Sequence, residues 1–481
     1  MKVNKRLLPA QKEKHTQGKR SIPTCNRTNF TGEVIQNSLH RTIADITSRG
    51  EQSCSRIEVS LSRENALLVH CARLDLFQGR RQAVRDILDE GLDWDLLLDR
   101  AAWHRLLPLV SYHLRSPDLS VFVPRLMLEK LQRLSYQSLA RNMLLQEELS
   151  KLLSALNEEG IPVIVLKGAA LLGSIYDDIG LRPMSDLDIL VQPEHLDCAA
   201  AIASCQGYVP MTAGDAQERT TTTNRHHSPH LRQFEKGILL EIHQHIVDSD
   251  SAYHFDLSGF WARAQLVTIS GAGALMLSPE DLLIHLSAHF LFHRCYSSIS
   301  ALGQLCDISE VIFQYGDSMN WNLIEEFSQD GIAPGLHCVF YACEQLLGSQ
   351  VPVSVLARLQ PLEFNPSLVK LFLSRRVLDT RPWLAHQLVA PSSAYTLPRA
   401  IRAALGRLLT MPGRFSGKYG FRKYYNRLYL KRLTGILRRF GGALLRPSEL
   451  KEDLLLDRWL HDLGSSTTQI GPHDSQPRPG R

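Results

Sequence analysis

Two aspartates, Asp186 and Asp188, stand two residues apart in an otherwise apolar run, GLRPMSDLDILV (180–191). In a strand, residues i and i+2 share one face about 7 Å apart. Two bare carboxylates so placed repel, and a pair of divalent cations between them relieves the repulsion. A third acid, Glu241 in LLEIH, lies inside another apolar stretch, where a charge is costly without a partner. Two ions about 3.5–4 Å apart, held by carboxylates of adjacent strands, stabilise the attacking and leaving oxygens of an in-line phosphoryl displacement. The pattern therefore predicts Asp186 and Asp188 as ligands of two Mg²⁺ ions, with Mn²⁺ as the alternative. Glu241 is the third ligand, nearest an incoming hydroxyl.

Lys167 and Gly168 end the run IPVIVLKG, where a strand gives way to a helix. A glycine there lets backbone N–H groups approach a phosphate, and a lysine ending a buried strand needs a reason, here a phosphate contact. Arg182 is either a triphosphate contact or the partner of Asp177 or Asp178. His243 shares the face of Glu241 and either orients it, touches the nucleotide or packs as a core histidine. Ser185, beside the aspartate pair, completes the nucleotide-binding candidates. His285, His289 and His293 repeat every four residues, but the outer two are about 12 Å apart along a helix axis, too far to share an ion. They read as a helix face packed near the site. His226, His227 and His230 fall in a polar loop with no metal-ligand spacing.

These residues need elements to position them. From about Arg63 to Gly160, apolar residues recur at three- and four-residue steps, as amphipathic helices require. The period then changes. IPVIVLKG reads as a buried strand, AALLGSIYDD as a short helix, DLDILV as a strand and HLDCAAAIASCQGY as a helix. HLRQFEKGILLEIHQHI reads as a hairpin turning at Lys236 and Gly237. PEDLLIHLSAHFLFHR returns to helix, with proline at its first position and acids in its first turn.

The nine cysteines are scattered without a CxxC pair, which suits a reducing cytosol and argues against a zinc ribbon. The net charge of +5 excludes a polycation, but residues 380–448 contain no acid and many Arg and Lys interleaved with Tyr and Phe. That segment reads as solvated surface helices or as a contact with an anionic membrane surface, with nucleic acid the less favoured partner. No uncharged apolar run approaches the roughly 20 residues of a membrane span, so a cytoplasmic protein, peripheral at the inner membrane, is expected.

The run LKGAALLGSIYDDIGLRPMSDLDILV resembles the polymerase-beta-like nucleotidyltransferase superfamily. More narrowly it is similar to a bacterial group of nucleotidyltransferase family proteins in which LKG, an R-P-x-x-D-h-D strand and an E-h-H strand recur. The likeness extends over about residues 65–355, through DWDLLLDRAAWHRLLPLV on one side and LSPEDLLIHLSAHFLFHR, CDISEVI and NWNLIEEF on the other. It departs where the superfamily has Gly-Ser after the first strand, since Ala169 follows Gly168 here. Lys167 or Arg182 would replace the lost hydroxyl electrostatically.

The resemblance implies an α+β fold: a small nucleotidyltransferase-like mixed sheet with helices, embedded between mainly helical N- and C-terminal regions. The expected division is a disordered basic extension (1–58), a helical region (59–150), the nucleotidyltransferase-like domain (151–275), a second helical region (276–379), a basic amphipathic segment (380–460) and a disordered tail (461–481). It implies transfer of a nucleoside monophosphate from an NTP to a hydroxyl or phosphate acceptor on a sugar, peptide or protein, with release of pyrophosphate. Such proteins often occur beside exopolysaccharide or peptide natural-product genes. The alternatives are a non-catalytic nucleotide-binding regulator and a membrane-surface adaptor in polysaccharide or natural-product biosynthesis.

Overall fold

The alternation of apolar and acidic residues in DLDIL can satisfy both sets only if one face of the strand is core and the other is a lined cleft. The computed structural model shows this arrangement and describes residues 61–211, 230–247, 255–294, 301–327, 331–361 and 364–378, with 452, 455, 456 and 459. The extension 1–58, most of the segment 380–460 with its acid-free run 380–448, and the tail lie outside the described residues, as do His226 and His227.

Five helices lead in: α1 (Arg63–Cys71), α2 (Gln78–Asp89), α3 (Trp94–Trp103), α4 (Leu107–Leu114) and α5 (Arg125–Glu158). Side chains start two of them, with Ser62 accepting from Asn65 N and Asp93 accepting from Leu96 N. The middle contains β1 (Ile164–Val165), α6 (Lys167–Leu171), β2 (Asp186–Leu190), α7 (Leu196–Cys205), β3 (Val209–Pro210), β4 (Leu231–Gln233), β5 (Ile238–His243), α8 (Leu257–Arg263), β6 (Gln265–Ile269) and β7 (Ala272–Met276). Then follow α9 (Pro279–Arg294), α10 (Ala301–Tyr315), α11 (Trp321–Phe327), α12 (Ala333–Leu347), α13 (Val353–Leu359) and α14 (Pro366–Phe372).

The seven strands form one mixed sheet in the order β3-β4-β5-β2-β1-β7-β6. β2 runs parallel to β5 and antiparallel to β1, and β1 runs parallel to β7. The fold is thus α+β, with the mixed sheet held between helical regions. The expected hairpin at Lys236 and Gly237 is formed by β4 and β5. A second hairpin, β6–β7, was not anticipated; its two-residue turn, Ser270–Gly271, has positive φ at both positions. The strand expected over IPVIVLKG is confined to Ile164–Val165, and the helix expected over AALLGSIYDD starts at Lys167 and lasts five residues.

Leu187 and Ile189, alternating with the aspartates, are fully buried, and α5 and α7 pack on the sheet. One apolar core runs from α1 through the sheet to α14. α5 passes through residue 150, so the lead-in helices and the sheet share an element. Among the described residues no helix is long and apolar enough to cross a membrane.

Two adjacent residues of α5 hold the long α6–β2 connection and the β4–β5 turn. Asn142, fully buried, donates from Nδ2 to Arg182 O (2.8 Å) and Ile179 O, and accepts from Met184 N (3.0 Å). Arg141 donates to Lys236 O (3.1 Å) and Gly237 O (2.9 Å) at the β4–β5 turn. Lys236 in turn pairs with Glu148 of α5 at 2.7 Å. Asn142→Ala removes three bonds to backbone groups that are buried or half-buried and is expected to lower the unfolding free energy by about 2–4 kcal/mol. Urea denaturation measures this; an unchanged midpoint would mean that the connection is held by other contacts.

Candidate active site

The register of β2 on β5 decides the site. Asp188 lies directly opposite Glu241, with Asp186 opposite Leu239 and Leu190 opposite His243. Side chains alternate identically on both strands, so Asp186, Asp188, Glu241 and His243 share one face. Directly opposed like charges are destabilising unless something cationic intervenes. Lys167 intervenes: its Nζ lies 2.5 Å from Asp188 Oδ1 and 3.4 Å from Glu241 Oε2. His243 Nε2 lies 2.9 Å from Asp188 Oδ1 and 3.5 Å from Glu241 Oε2. His230, just before β4, places Nδ1 2.9 Å from Glu241 Oε1.

The electrostatics separate the two aspartates. Burial works against charge on Asp188, but Lys167 and then His243 outweigh it and hold its carboxyl below the ordinary range. Glu241 is likewise depressed, with His230, His243 and Lys167 together overcoming burial. Lys167 is raised because Asp188 and Glu241 overcome its own desolvation. Asp186 goes the other way: burial and the neighbouring Asp188 push it up, and the hydrogen bond from Ser185 Oγ (2.8 Å) recovers only part of that.

The donor set fits a divalent cation. Asp188, Glu241 and His243 offer ligand atoms all within 4.8 Å of one another, and Asp186 joins them from the same face. The Lys167 ammonium, itself a cation seated between two of these carboxylates, shows that the pocket accommodates positive charge.

Other candidates are placed differently from expectation. Arg182 does not pair with Asp177 or Asp178. Its guanidinium grips Asp307 of α10, from Nε (3.0 and 3.1 Å) and Nη2 (2.8 Å), and Tyr176 donates to the same carboxylate at 2.8 Å. Although burial opposes its charge, Asp307 holds Arg182 above the ordinary arginine value. Its Nη1 is turned toward Gly168, 2.4 Å from where a Cβ would be. Gly168 is therefore needed for the arginine's approach. With only five residues, α6 has little dipole to offer an anion, so cationic side chains dominate at that turn.

Ser174, in the turn after α6, donates to Ala170 O of that helix. His243, 1% exposed, lies behind the carboxylates, in position to orient them rather than to meet a nucleotide directly. His285 is buried in α9 with His289 beside it, ring centroids 6.3 Å apart. The sequence reading left His230 unassigned and passed over Asp307, Asn142 and Arg141. Asp307 carried a usable signal, a carboxylate among apolar residues of LCDISEVIF, where burial demands a cation.

The family described as uncharacterised nucleotidyltransferase matches residues 90–348, more than half of the chain, and the chain belongs to that family. A crystal structure of an antigenic nucleotidyltransferase-like protein from Paracoccidioides brasiliensis is similar at 15% identity and a TM-score of 0.24, over 44% of this chain and 95% of that one. No curated protein matches.

The two aspartates should respond oppositely to loss of charge. A carboxyl with a raised folded pKa costs stability at neutral pH, and the cost disappears below the unfolded value of about 3.9. Asp186→Asn is expected to raise the urea midpoint at pH 7 and to lose that advantage near about pH 4. A depressed carboxyl contributes stability above its unfolded value and loses it as pH falls through the folded one. Asp188→Asn, which leaves Lys167 and His243 facing an uncharged group, is expected to destabilise at pH 7 by about 3 kcal/mol. Shifts of the same sign in both variants at pH 7 would contradict this electrostatic division.

Proposed function

We propose that the protein is a Mg²⁺-dependent nucleotidyltransferase that moves a nucleoside monophosphate from an NTP to a hydroxyl or phosphate acceptor, releasing pyrophosphate. The observation that carries this reading is Asp188 opposite Glu241 on parallel strands, with Asp186 on the same face. Family membership supports the reaction class, and the acceptor proposed is a sugar, a peptide or a protein.

Asp186, Asp188 and Glu241 would hold the divalent cations, with Mn²⁺ able to replace Mg²⁺ at such oxygen-rich sites. When bound, the ions neutralise the triphosphate and favour the deprotonated acceptor oxygen. The chain's own groups do the positioning. Ser185 orients Asp186, His243 orients Asp188, and His230 holds Glu241 from the open side. Glu241, its carboxyl held down by His230, His243 and Lys167, acts as a charged ligand nearest the incoming acceptor hydroxyl rather than as a strong base. Lys167, seated between Asp188 and Glu241, would be free to meet a phosphate oxygen if those carboxylates held cations. Arg182 offers Nη1 to the phosphates over Gly168, in the place that Ala169 leaves without a hydroxyl.

One observation favours a second reading, a nucleotide-binding regulator without turnover. Lys167 bridges Asp188 and Glu241 and competes with a cation for both. Incubation with Mg²⁺ or Mn²⁺, cell extract and α- or γ-labelled NTPs separates the two. Transfer of α-label with pyrophosphate release is expected, reduced at least about a hundredfold in Asp186→Asn and in Asp188→Asn. Nucleotide binding without transfer across sugar, peptide and protein acceptors supports the regulator. Transfer of γ-label overturns nucleotidyl transfer.

A further inference from the structure

The turn between α3 and α4 brings an unexpected arginine to the site. Arg105 has φ +57, a left-handed backbone that a non-glycine residue adopts only at a cost. Lys167, at the centre of the carboxylate cluster, is in the same region with φ +48. The turn is seated on the start of α10. Gly303 packs so closely that a Cβ there would be 2.3 Å from His104 O and 4.0 Å from Arg105 Cβ. His104 is fully buried, with Leu302 N at 3.5 Å from its Nδ1. Asp307 follows Gly303 by four residues, on the same face of α10, and grips Arg182. Arg105 and Arg182 thus lie against adjacent turns of α10, beside Gly303 and Asp307.

The two arginines differ in commitment. Arg182 spends one edge of its fork on Asp307, whereas the side chain of Arg105, an exposed residue, has no hydrogen-bond or ion-pair partner among the described residues. Asp186 and Asp188 lie within electrostatic reach of its guanidinium without pairing with it. Desolvation and Arg182 draw its pKa down against the pull of Asp186, Asp307 and Asp188, and an arginine stays charged under any such shift. With Asp186, Asp188 and Glu241 engaged by divalent cations, this guanidinium would be left to face an anion in the cleft. Two negatively charged phosphates leave together as pyrophosphate, and a planar fork with five donors suits them.

We propose that Arg105 binds the β- and γ-phosphates of the nucleoside triphosphate and, with Arg182, forms a two-arginine clamp on the departing pyrophosphate. This rests on the nucleotidyl-transfer reading above. Arg105→Gly is the informative variant, because glycine relieves the left-handed backbone and the fold should not suffer. Inorganic pyrophosphate with Mg²⁺ serves as a probe independent of base, beside the four NTPs, with affinities from calorimetry. The expected result is a melting temperature at or above the wild type, unchanged Mn²⁺ binding by electron paramagnetic resonance, and at least tenfold weaker pyrophosphate and NTP binding. Arg105→Lys, which keeps the charge but loses the fork, is expected to fall between. Pyrophosphate affinity within twofold of wild type in Arg105→Gly overturns the clamp while leaving the proposed reaction standing. A wild-type chain that binds neither pyrophosphate nor any NTP in the presence of metal overturns both.

Discussion

Asp188 and Glu241 are directly opposed on neighbouring parallel strands, and the energetic cost of that contact shapes what surrounds it. Two carboxylates this close and this buried cannot both stay ionised without compensation. Lys167 supplies the charge from the strand end, His243 the hydrogen bonds from behind and His230 a further one from the rim. Even the backbone yields: Lys167 adopts a left-handed conformation at the start of α6, and its ammonium reaches both acids. Asp186 is the member left under-compensated, its carboxyl pushed up by burial and by its neighbour. Electrostatic strain concentrated at one group of a cleft is the usual mark of a site arranged for a ligand rather than for stability.

The helix α10 is the second organiser. Gly303 receives the α3–α4 turn, Asp307 holds Arg182 and Tyr176, and Glu310 pairs at 2.7 Å with Arg73, in the connection between α1 and α2. These positions are four and three residues apart, so they lie along one side of the helix. Buried ion pairs of this kind contribute little net stability, because desolvation offsets attraction, but they strongly penalise the wrong arrangement. Their consequence here is geometric. Helices on either side of the sheet in sequence converge on it, and the arginine that faces Gly168 is held by a residue 125 positions away.

Much of this was legible beforehand. The D-x-D strand, the acidic β5 strand and the Lys236–Gly237 turn follow from period-two patterning interrupted by charge, which is a local property of the chain. The β6–β7 hairpin was not read, although QLVTI and AGALM flank a Ser-Gly pair. β6 is an edge strand, largely exposed, and lacks the apolar continuity of the inner strands. The extent of α6 was misjudged because a five-residue helix is too short for periodicity to register. His230 could not be assigned from a polar loop, since only the pairing of β4 with β5 brings it beside Glu241.

The sequence by itself determined which residues could do chemistry: three carboxylates placed where burial makes them expensive, a lysine and a glycine at a strand end, and the order of elements carrying them. Those are consequences of residue type and of spacing along one strand. Only the tertiary structure decided who neutralises whom. Strand register set Asp188 against Glu241, and helix packing gave Arg182 to Asp307 and left Arg105 open at the cleft. Charge pairing depends on distances between segments far apart in the chain, and no local pattern encodes those distances.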